Sequence, residues 1–217
     1  MYVWLRFARV AATGKSRGAY EPGSESRLSF RCLPTDVDFN LHLNNARYLM
    51  LADLGRVDIF FRSGLFALMR RRNWAPMIGG VEIAFVREVR LWQRFELVSS
   101  IETWEGAQVL GRHSFVLESG ETAAFAMTTA GIYDRPGKRF VAIDEVISAL
   151  GHEARMPRPP SDEEKAFMAS HSGLRALAKN GSEPVSAFYE RLSKGGTDID
   201  AEEVVREDRK PHDGADL

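Results

Sequence analysis

The stretch from Thr35 to Tyr48 reads Thr-Asp-Val-Asp-Phe-Asn-Leu-His-Leu-Asn-Asn-Ala-Arg-Tyr. It is rich in Asp, Asn and His, whose side chains can bind ligands or take part in catalysis. A strand-like alternation over residues 27–33 precedes it, and a long segment rich in apolar residues follows from Asn45. The pattern therefore predicts a polar loop that leads into a helix. Free N–H groups and the positive end of the helix dipole make a helix start suitable for binding a ligand oxygen.

Each polar residue of this stretch, taken alone, also has a purely structural explanation. Asn44 or Asn45 can serve as the N-cap of the helix, because helix starts favour Asn. Asp36 and Asp38 can form turns, since an Asp side chain accepts a hydrogen bond from the backbone two residues on. The joint spacing of these residues is harder to explain by capping and turns.

That spacing, Asp-x-Asp-x-Asn-x-His-x-Asn-Asn-x-x-Tyr, resembles the start of the hotdog-fold acyl thioesterases. Two groups are similar, the 4-hydroxybenzoyl-CoA thioesterase-like group and the plant acyl-carrier-protein thioesterases. Asp38 falls on the catalytic carboxylate of the first group, and Asp38, Asn40 and His42 match the Asp-x-Asn-x-His of the second. The resemblance covers residues 25–150. It implies hydrolysis of an acyl thioester, with either coenzyme A or an acyl carrier protein as the acyl carrier.

Thioester hydrolysis assigns each residue of the loop a role. Asp38 is the expected nucleophile or general base, and the sequence leaves both open. His42 either orients the carboxylate or activates water, and the alternative is a loop histidine bonded to backbone. Asn40 is expected to position the substrate, because an amide does not titrate near neutral pH. Backbone N–H groups near Asn44 and Asn45 are expected to bind the developing oxyanion.

Two further acidic residues are candidates. Asp53 matches an acidic position found in several of these thioesterases, although an ion pair with Arg56 on the helix surface explains it equally well. Glu88 ends Phe85-Val-Arg-Glu, which resembles the Tyr-Arg-Arg-Glu of the plant enzymes with a Phe and a Val as departures. We expect Glu88 to lie on a strand, on the same face as Ala84, and the alternative is a solvated glutamate at a strand end. Asp36 is expected to hold the loop.

Phosphates of coenzyme A would need a local basic site, because Lys and Arg are nearly balanced by Asp and Glu. The basic candidates are Arg70, Arg71, Arg72, Arg87, Arg90 and Arg94, and no motif supports any of them. We expect Arg87 to bind the substrate. The five histidines are scattered and no His, Cys or Asp cluster has metal-ligand spacing, so we expect no metal and no bound cofactor.

Composition limits the functional class. The net charge of −1 gives no reason to propose nucleic acid binding, and 44% hydrophobic residues suffice for a core. The single cysteine, Cys32, cannot form an internal disulfide, which favours a cytoplasmic setting. The N-terminal segment carries Trp4, Phe7 and Val10 at helical offsets, and we expect a helix packed on the domain or on a partner. A weak membrane-surface contact is the alternative.

The periodicity along the chain predicts an α+β fold. Helices are expected at residues 45–62, 65–72, 144–150, 162–178 and 185–192, and strands at 27–33, 79–89, 95–104, 109–118, 122–133 and 140–143. Short connections predict that neighbouring strands from residue 79 onward pair as antiparallel hairpins. This arrangement indicates a curved antiparallel sheet wrapped around the long helix, the hotdog fold implied by the motif.

The predicted organisation is an N-terminal segment and linker over residues 1–26, a hotdog domain over 27–156, a helical extension over 157–193 and a disordered tail over 194–217. The tail is rich in charge and poor in apolar residues, so we expect it to be dispensable. Because one sheet on one helix leaves a strand edge open, a homodimer or homotetramer is expected. Two alternatives remain, a hotdog protein that binds acyl chains or lipids without catalysis and a hotdog hydratase that acts on enoyl thioesters.

Overall fold

The computed structural model describes residues 4–21, 23–152 and 156–180. The chain divides into two units, residues 1–172 and 173–217, and the description below concerns the first. Of the second unit the structure describes residues 173–180, the C-terminal part of the last described helix. The helix predicted at residues 185–192 and the tail from residue 194 lie outside the described residues.

Five helices and six strands make up the described chain. The helices are α1 (Trp4–Thr13), α2 (Asn45–Arg62), α3 (Leu65–Arg72), α4 (Ile143–Ala149) and α5 (Asp162–Asn180). The strands are β1 (Glu25–Arg31), β2 (Trp74–Phe85), β3 (Arg94–Glu105), β4 (Gln108–Leu117), β5 (Thr122–Asp134) and β6 (Arg139–Val141). A single 3-10 turn, Lys15–Arg17, lies between α1 and β1.

The strands form one antiparallel sheet in the order β1-β3-β4-β5-β2, and β6 pairs with the end of β5. Its inner face packs on α2, and the main core lies between that helix and strands β1, β3 and β4. The predicted hotdog arrangement, a curved sheet around one long helix, is confirmed. The sheet thus places the polar loop before α2 at one end of the core.

The central helix has the predicted bounds because both of its ends carry clear signals. Asn44 caps the start, since its side-chain oxygen accepts a hydrogen bond from the Ala46 N–H at 3.0 Å. At the other end Ser63 is followed by Gly64 with φ +79, a left-handed conformation that glycine adopts without strain. Inside the helix, Gly55 allows close approach to β3, because a Cβ there would clash with the Ser99 hydroxyl.

The predicted pairing of the second strand is wrong. We expected a strand at residues 79–89 in a hairpin with the next one, but β2 ends at Phe85 and pairs with β5. The reason is that residues 86–93 do not join β2 to β3 as a hairpin. Their backbone pairs with the polar loop and with the end of β1, through Leu43 N to Val89 O at 2.8 Å and Cys32 N to Gln93 O at 2.9 Å. Both edges of β3 are taken by β1 and β4.

The N-terminal helix packs on the domain as expected. Phe7 makes an edge-to-face contact with Phe61 of α2, and Val10 is buried. Trp4 and Leu5 stay exposed at the first turn. Among the described helices, none has both the length and the apolar character needed to cross a membrane.

Candidate active site

The polar loop is a small hairpin held from both sides. Val37 bridges Leu43, the Asp38 N–H donates to the His42 carbonyl at 3.3 Å, and the Asn44 N–H donates to the Asp36 carbonyl at 2.9 Å. The Leu41 N–H donates to the Asp38 carbonyl, and Leu41 takes a left-handed φ of +62. The second arm of the hairpin, residues 41–43, pairs with residues 89–91. Backbone hydrogen bonds on two sides fix the loop ahead of α2.

Asp36 anchors the base of this loop. Its carboxylate is buried and accepts hydrogen bonds from the Arg6 guanidinium at 2.6 and 3.0 Å and from the Leu33 N–H at 2.9 Å. These contacts occupy the carboxylate with structural partners. Asp36 therefore has the geometry of a residue that holds the loop, as the sequence analysis expected.

Asp38 is half-buried and differs from Asp36 in its partners. Its Oδ1 accepts the Asn40 N–H at 2.9 Å, which is the Asx turn weighed above as the structural alternative. Within the described chain no hydrogen bond reaches its Oδ2. One carboxylate oxygen is thus oriented by the turn and the other is available to a ligand. Asn40 itself is exposed beside it.

His42 and Glu88 are brought together by the pairing of the loop with residues 89–91. His42 Nε2 lies 3.7 Å from Glu88 Oε2, and both side chains are partly exposed. Glu88 also pairs with Arg90 at 2.5 Å. The expected strand position of Glu88 is wrong, because β2 ends at Phe85 and Glu88 lies in the connection. Glu88 lies beside His42 because of the path of the connection after β2, not because of strand alternation.

The start of α2 adds backbone donors to this group. The Asn44 side chain takes up the Ala46 N–H, and the Asn44 carbonyl accepts the Arg47 N–H at 2.8 Å. Asn44 is therefore the N-cap of α2, one of the two candidates expected from the sequence. No acceptor in the described chain bonds the N–H of Asn45, the first helical residue. This donor lies at the positive end of the helix dipole.

Asp53 and Arg87 are not part of this group. Asp53 lies two turns into α2 and forms an ion pair with Arg56. This ion pair is the alternative to a substrate-binding role that the sequence left open. Arg87 pairs with Glu121 at 2.9 Å. Within the described chain neither residue forms a hydrogen bond or ion pair with Asp38 or His42.

An apolar cavity of about 300 Å³ lies farther along α2. Its polar corner is formed by Asp53, Arg56 and Thr128, and the rest of its lining is largely aliphatic and aromatic, including Phe60, Ile78, Ile101, Trp104, Ile132, Val146 and Ile147. Behind the corner, the buried His113 ring contacts Arg56 Nη1 at 3.1 Å and Ser99 Oγ at 2.8 Å. Burial, and secondarily the Arg56 charge, lower the pKa of His113 to about 3. The ring is therefore neutral at physiological pH.

Two other titratable groups near the loop are unsuited to reaction. Burial, reinforced by the Asp36 charge, raises the pKa of the Cys32 thiol to about 11, which disfavours the reactive thiolate. Burial also raises the pKa of Tyr48 to about 12. No group of three or more His, Cys, Asp or Glu side chains in the described ranges is arranged to hold a metal ion.

Comparison with known proteins agrees with the fold. The family profile of the thioesterase-like superfamily matches residues 32–150, which include the loop, α2 and the sheet from β2 to β6. The chain belongs to the thioesterase-like superfamily. Protein THEM6 of Xenopus laevis is 38% identical over 84 residues, 39% of this chain and 41% of that relative. The chain thus spans less than half the length of this relative.

Solved structures share the fold of this thioesterase-like chain at low sequence identity. YbaW of Escherichia coli superposes with a TM-score of 0.54 at 23% identity, over 59% of this chain and 98% of YbaW. DHNA-CoA thioesterase of Staphylococcus aureus gives a TM-score of 0.51 at 12% identity, over 74% of this chain and 97% of that enzyme. At these identities the likeness concerns the fold alone.

Two features of this region were not predicted from the sequence. Arg6 contacts Asp36 across 30 residues of sequence, and no local pattern indicates such a long-range pair. His113 lies on the inner face of β4, where strand alternation with Phe115 does predict an inward side chain. A polar residue at an inward strand position was therefore the available signal for the His113 contacts.

Proposed function

We propose that this protein hydrolyses acyl thioesters of coenzyme A to the free acid and the thiol. The observation that carries the proposal is the backbone-pinned loop, which holds Asp38 with one carboxylate oxygen bonded to Asn40 and the other without a bonded partner in the described chain. Membership of the thioesterase-like superfamily supports the same reaction class. The buried, unpaired Cys32 supports a reducing, cytoplasmic setting.

In this proposal the start of α2 polarises the thioester carbonyl. The Asn45 N–H, at the positive end of the helix dipole, donates to the carbonyl oxygen as negative charge develops there. Asn40 and the loop backbone orient the acyl carrier. Donors of this kind stabilise the tetrahedral oxyanion more strongly than the flat carbonyl, which lowers the barrier.

Asp38 provides the attacking step. As general base it removes a proton from water while the water oxygen bonds to the carbonyl carbon; the C–S bond then breaks and the thiolate leaves and takes up a proton. As nucleophile, its carboxylate oxygen bonds to the carbonyl carbon and expels the thiolate, and water then cleaves the mixed anhydride. His42, paired with Glu88, orients the attacking water or the carboxylate in either route.

Single-turnover hydrolysis tests the role of Asp38. We expect Asp38→Asn to reduce thiol release from a saturating acyl-CoA by about two to four orders of magnitude, because the amide can neither accept the proton nor attack. Its thermal unfolding should match the parent protein. Asp162→Asn, the same chemical change at an exposed position in α5, serves as the control.

Each outcome discriminates among mechanisms. If Asp38→Asn releases thiol at near the parent rate, the mechanism is wrong and His42 or Glu88 must be tested instead. If the parent protein releases thiol from none of a panel of acyl-CoAs, the chain is a non-catalytic acyl-binding member of its superfamily. Single turnover in ¹⁸O-water tests the nucleophile route. If water attacks the Asp38 carbonyl of the mixed anhydride, the label enters Asp38 and the first acid released is unlabelled, whereas the general-base route puts the label in the acid.

The proposed enzyme is a homodimer. Within the described chain no strand pairs the outer edge of β2, a strand of 12 residues. Three residues of its inner face, Ile78, Val81 and Phe85, are 40–45% exposed. An open edge with exposed apolar side chains is favourable for pairing with a second copy.

A further inference from the structure

A groove of about 920 Å³ lies between α1 and β1, the strand at the other edge of the sheet. Six arginines line this arginine groove, and among the described residues no Asp or Glu does. The chain as a whole has a net charge of −1, so the groove is a local concentration of positive charge. A local concentration of positive charge attracts anions.

The six arginines fall into two sets. Three have carboxylate partners: Arg6 with Asp36, Arg17 with Asp58, and Arg27 with Glu25 and Glu96. The other three form no ion pair within the described chain, and they are Arg9, Arg31 and Arg94. All three of these side chains are exposed and can contact a ligand.

Arg31 and Arg94 are direct cross-strand partners in the β1–β3 register. Opposed residues of an antiparallel pair project from the same face, and two like charges there destabilise the sheet. A bound anion with more than one negative charge removes this repulsion. Phosphate suits the position, because the planar guanidinium donates two parallel hydrogen bonds to phosphate oxygens.

The arginine groove reaches the base of the polar loop. The Arg6 guanidinium donates to the Arg31 carbonyl at 2.8 Å and to the Asp36 carboxylate at 2.6 Å, so one side chain joins the groove to the loop. Leu33 lines the groove and its N–H also donates to Asp36. Arg6 thus connects the end of β1, where Arg31 lies, to the loop that carries Asp38.

The geometry points to Arg9, Arg31 and Arg94 as the binding site for the nucleotide phosphates of coenzyme A. This inference rests on the proposed function, which supplies the carrier. The flexible pantetheine arm then runs from the groove to the loop. Exposed Leu5 offers an apolar surface to the adenine base. Of the other basic candidates, Arg87 and Arg90 already pair with Glu121 and Glu88.

The test compares two carriers of the same acyl group, coenzyme A and pantetheine, which lacks the nucleotide. In Arg31→Gln/Arg94→Gln the KM for acyl-CoA should rise by about 10- to 100-fold, since each lost charge-assisted hydrogen bond weakens binding about tenfold or more. The KM for acyl-pantetheine and both kcat values should stay within about twofold of the parent. Arg135→Gln/Lys138→Asn removes two positive charges from the β5–β6 turn and is the control.

Calorimetry with adenosine 3′,5′-bisphosphate, the nucleotide end of the carrier, tests the site without hydrolysis. We expect binding to the parent and control proteins and at least tenfold weaker binding to the double variant. If thioesters are hydrolysed but the KM for acyl-CoA does not change in the double variant, the phosphate site is wrong and the proposed function stands. If no thioester is hydrolysed yet nucleotide binding depends on Arg31 and Arg94, the site stands and the function is wrong.

Two further results would overturn the inference. One is absence of nucleotide binding to the parent protein. The other is a double variant that loses binding to phosphatidylglycerol vesicles while keeping parental nucleotide affinity, which would assign the arginine groove to a lipid surface.

Discussion

At the scale of single residues, His113 shows how its partners determine the charge state of a buried group. Arg56 can only donate, so its N–H bonds the unprotonated Nε2, and Nδ1 then carries the proton toward Ser99 Oγ. Burial and the adjacent cation both oppose a second proton on the ring. The side chain is therefore a neutral link between α2 and the inner face of β4.

His113 should make folding stability depend on pH. Its pKa is about 3 in the folded chain, below the ordinary value of 6.5, so below pH 6.5 the unfolded chain takes up a proton that the folded chain does not. This stabilisation is complete above pH 6.5 and is lost as pH falls toward 3, by up to about 1.4 kcal/mol per pH unit.

Urea unfolding of the parent and His113→Gln between pH 7 and 4 measures this contribution. The free energy of unfolding should fall more steeply with acid in the parent than in the variant, because the other titrating groups are common to both. Equal slopes would mean that the ring is not the source of the pH dependence.

At the scale of elements, α1 stabilises the polar loop through a single ion pair. Arg6 bonds the buried Asp36 carboxylate and the Arg31 carbonyl, so it joins the helix, the end of β1 and the loop. Without Arg6, the buried Asp36 carboxylate loses its cation. Without the Asp36 carboxylate, the Arg6 guanidinium loses its charged acceptor. The loop's geometry therefore depends on a helix that is distant in sequence.

We expect Arg6→Ala and Asp36→Asn each to lower the free energy of unfolding by about 1–3 kcal/mol. The double variant should lose less than the sum of the two, because both changes remove the same interaction. Arg9→Ala, on the same helix and without an ion pair in the described chain, is the stability control. Strictly additive losses would show that the pair is not coupled.

Turnover separates the two aspartates of the loop. Asp36→Asn should change single-turnover hydrolysis by only a few fold, far less than Asp38→Asn, because its carboxylate contacts structural partners. A loss as large as that of Asp38→Asn would place Asp36 in the reaction instead.

At the scale of the whole molecule, the sheet has two different edges. The β1 edge faces α1 across the arginine groove, whereas the β2 edge exposes apolar side chains. Charge at one edge disfavours strand pairing, and exposed apolar residues at the other favour it. The difference predicts that copies of the chain associate through β2.

Light scattering at micromolar protein should give at least twice the 24.3 kDa chain mass. Val81→Asp should shift the protein toward monomer, because a charge on the exposed inner face of β2 opposes apolar contact. Glu82→Gln, at the next position of the same strand, should keep the parental mass. An active monomeric parent protein would contradict assembly through this edge.

The sequence by itself determined the elements and the motif. Cap and stop residues around α2 and the change of hydrophobic period after Asn73 are local signals, so helix bounds and the hotdog fold were predictable. The spacing of Asp38, Asn40 and His42 is also local, and it predicted the loop ahead of the helix.

The tertiary structure alone decided which distant groups meet. The partner of β2 depended on which strand edges remained open once β3 had paired with β1 and β4, and that competition leaves no local mark. The pairing of residues 86–93 with the loop then placed Glu88 beside His42. Arg6 meets Asp36, and Arg31 meets Arg94, only because helix and strand pack side by side. Such contacts arise from long-range packing, for which neighbouring residues carry no periodic signal.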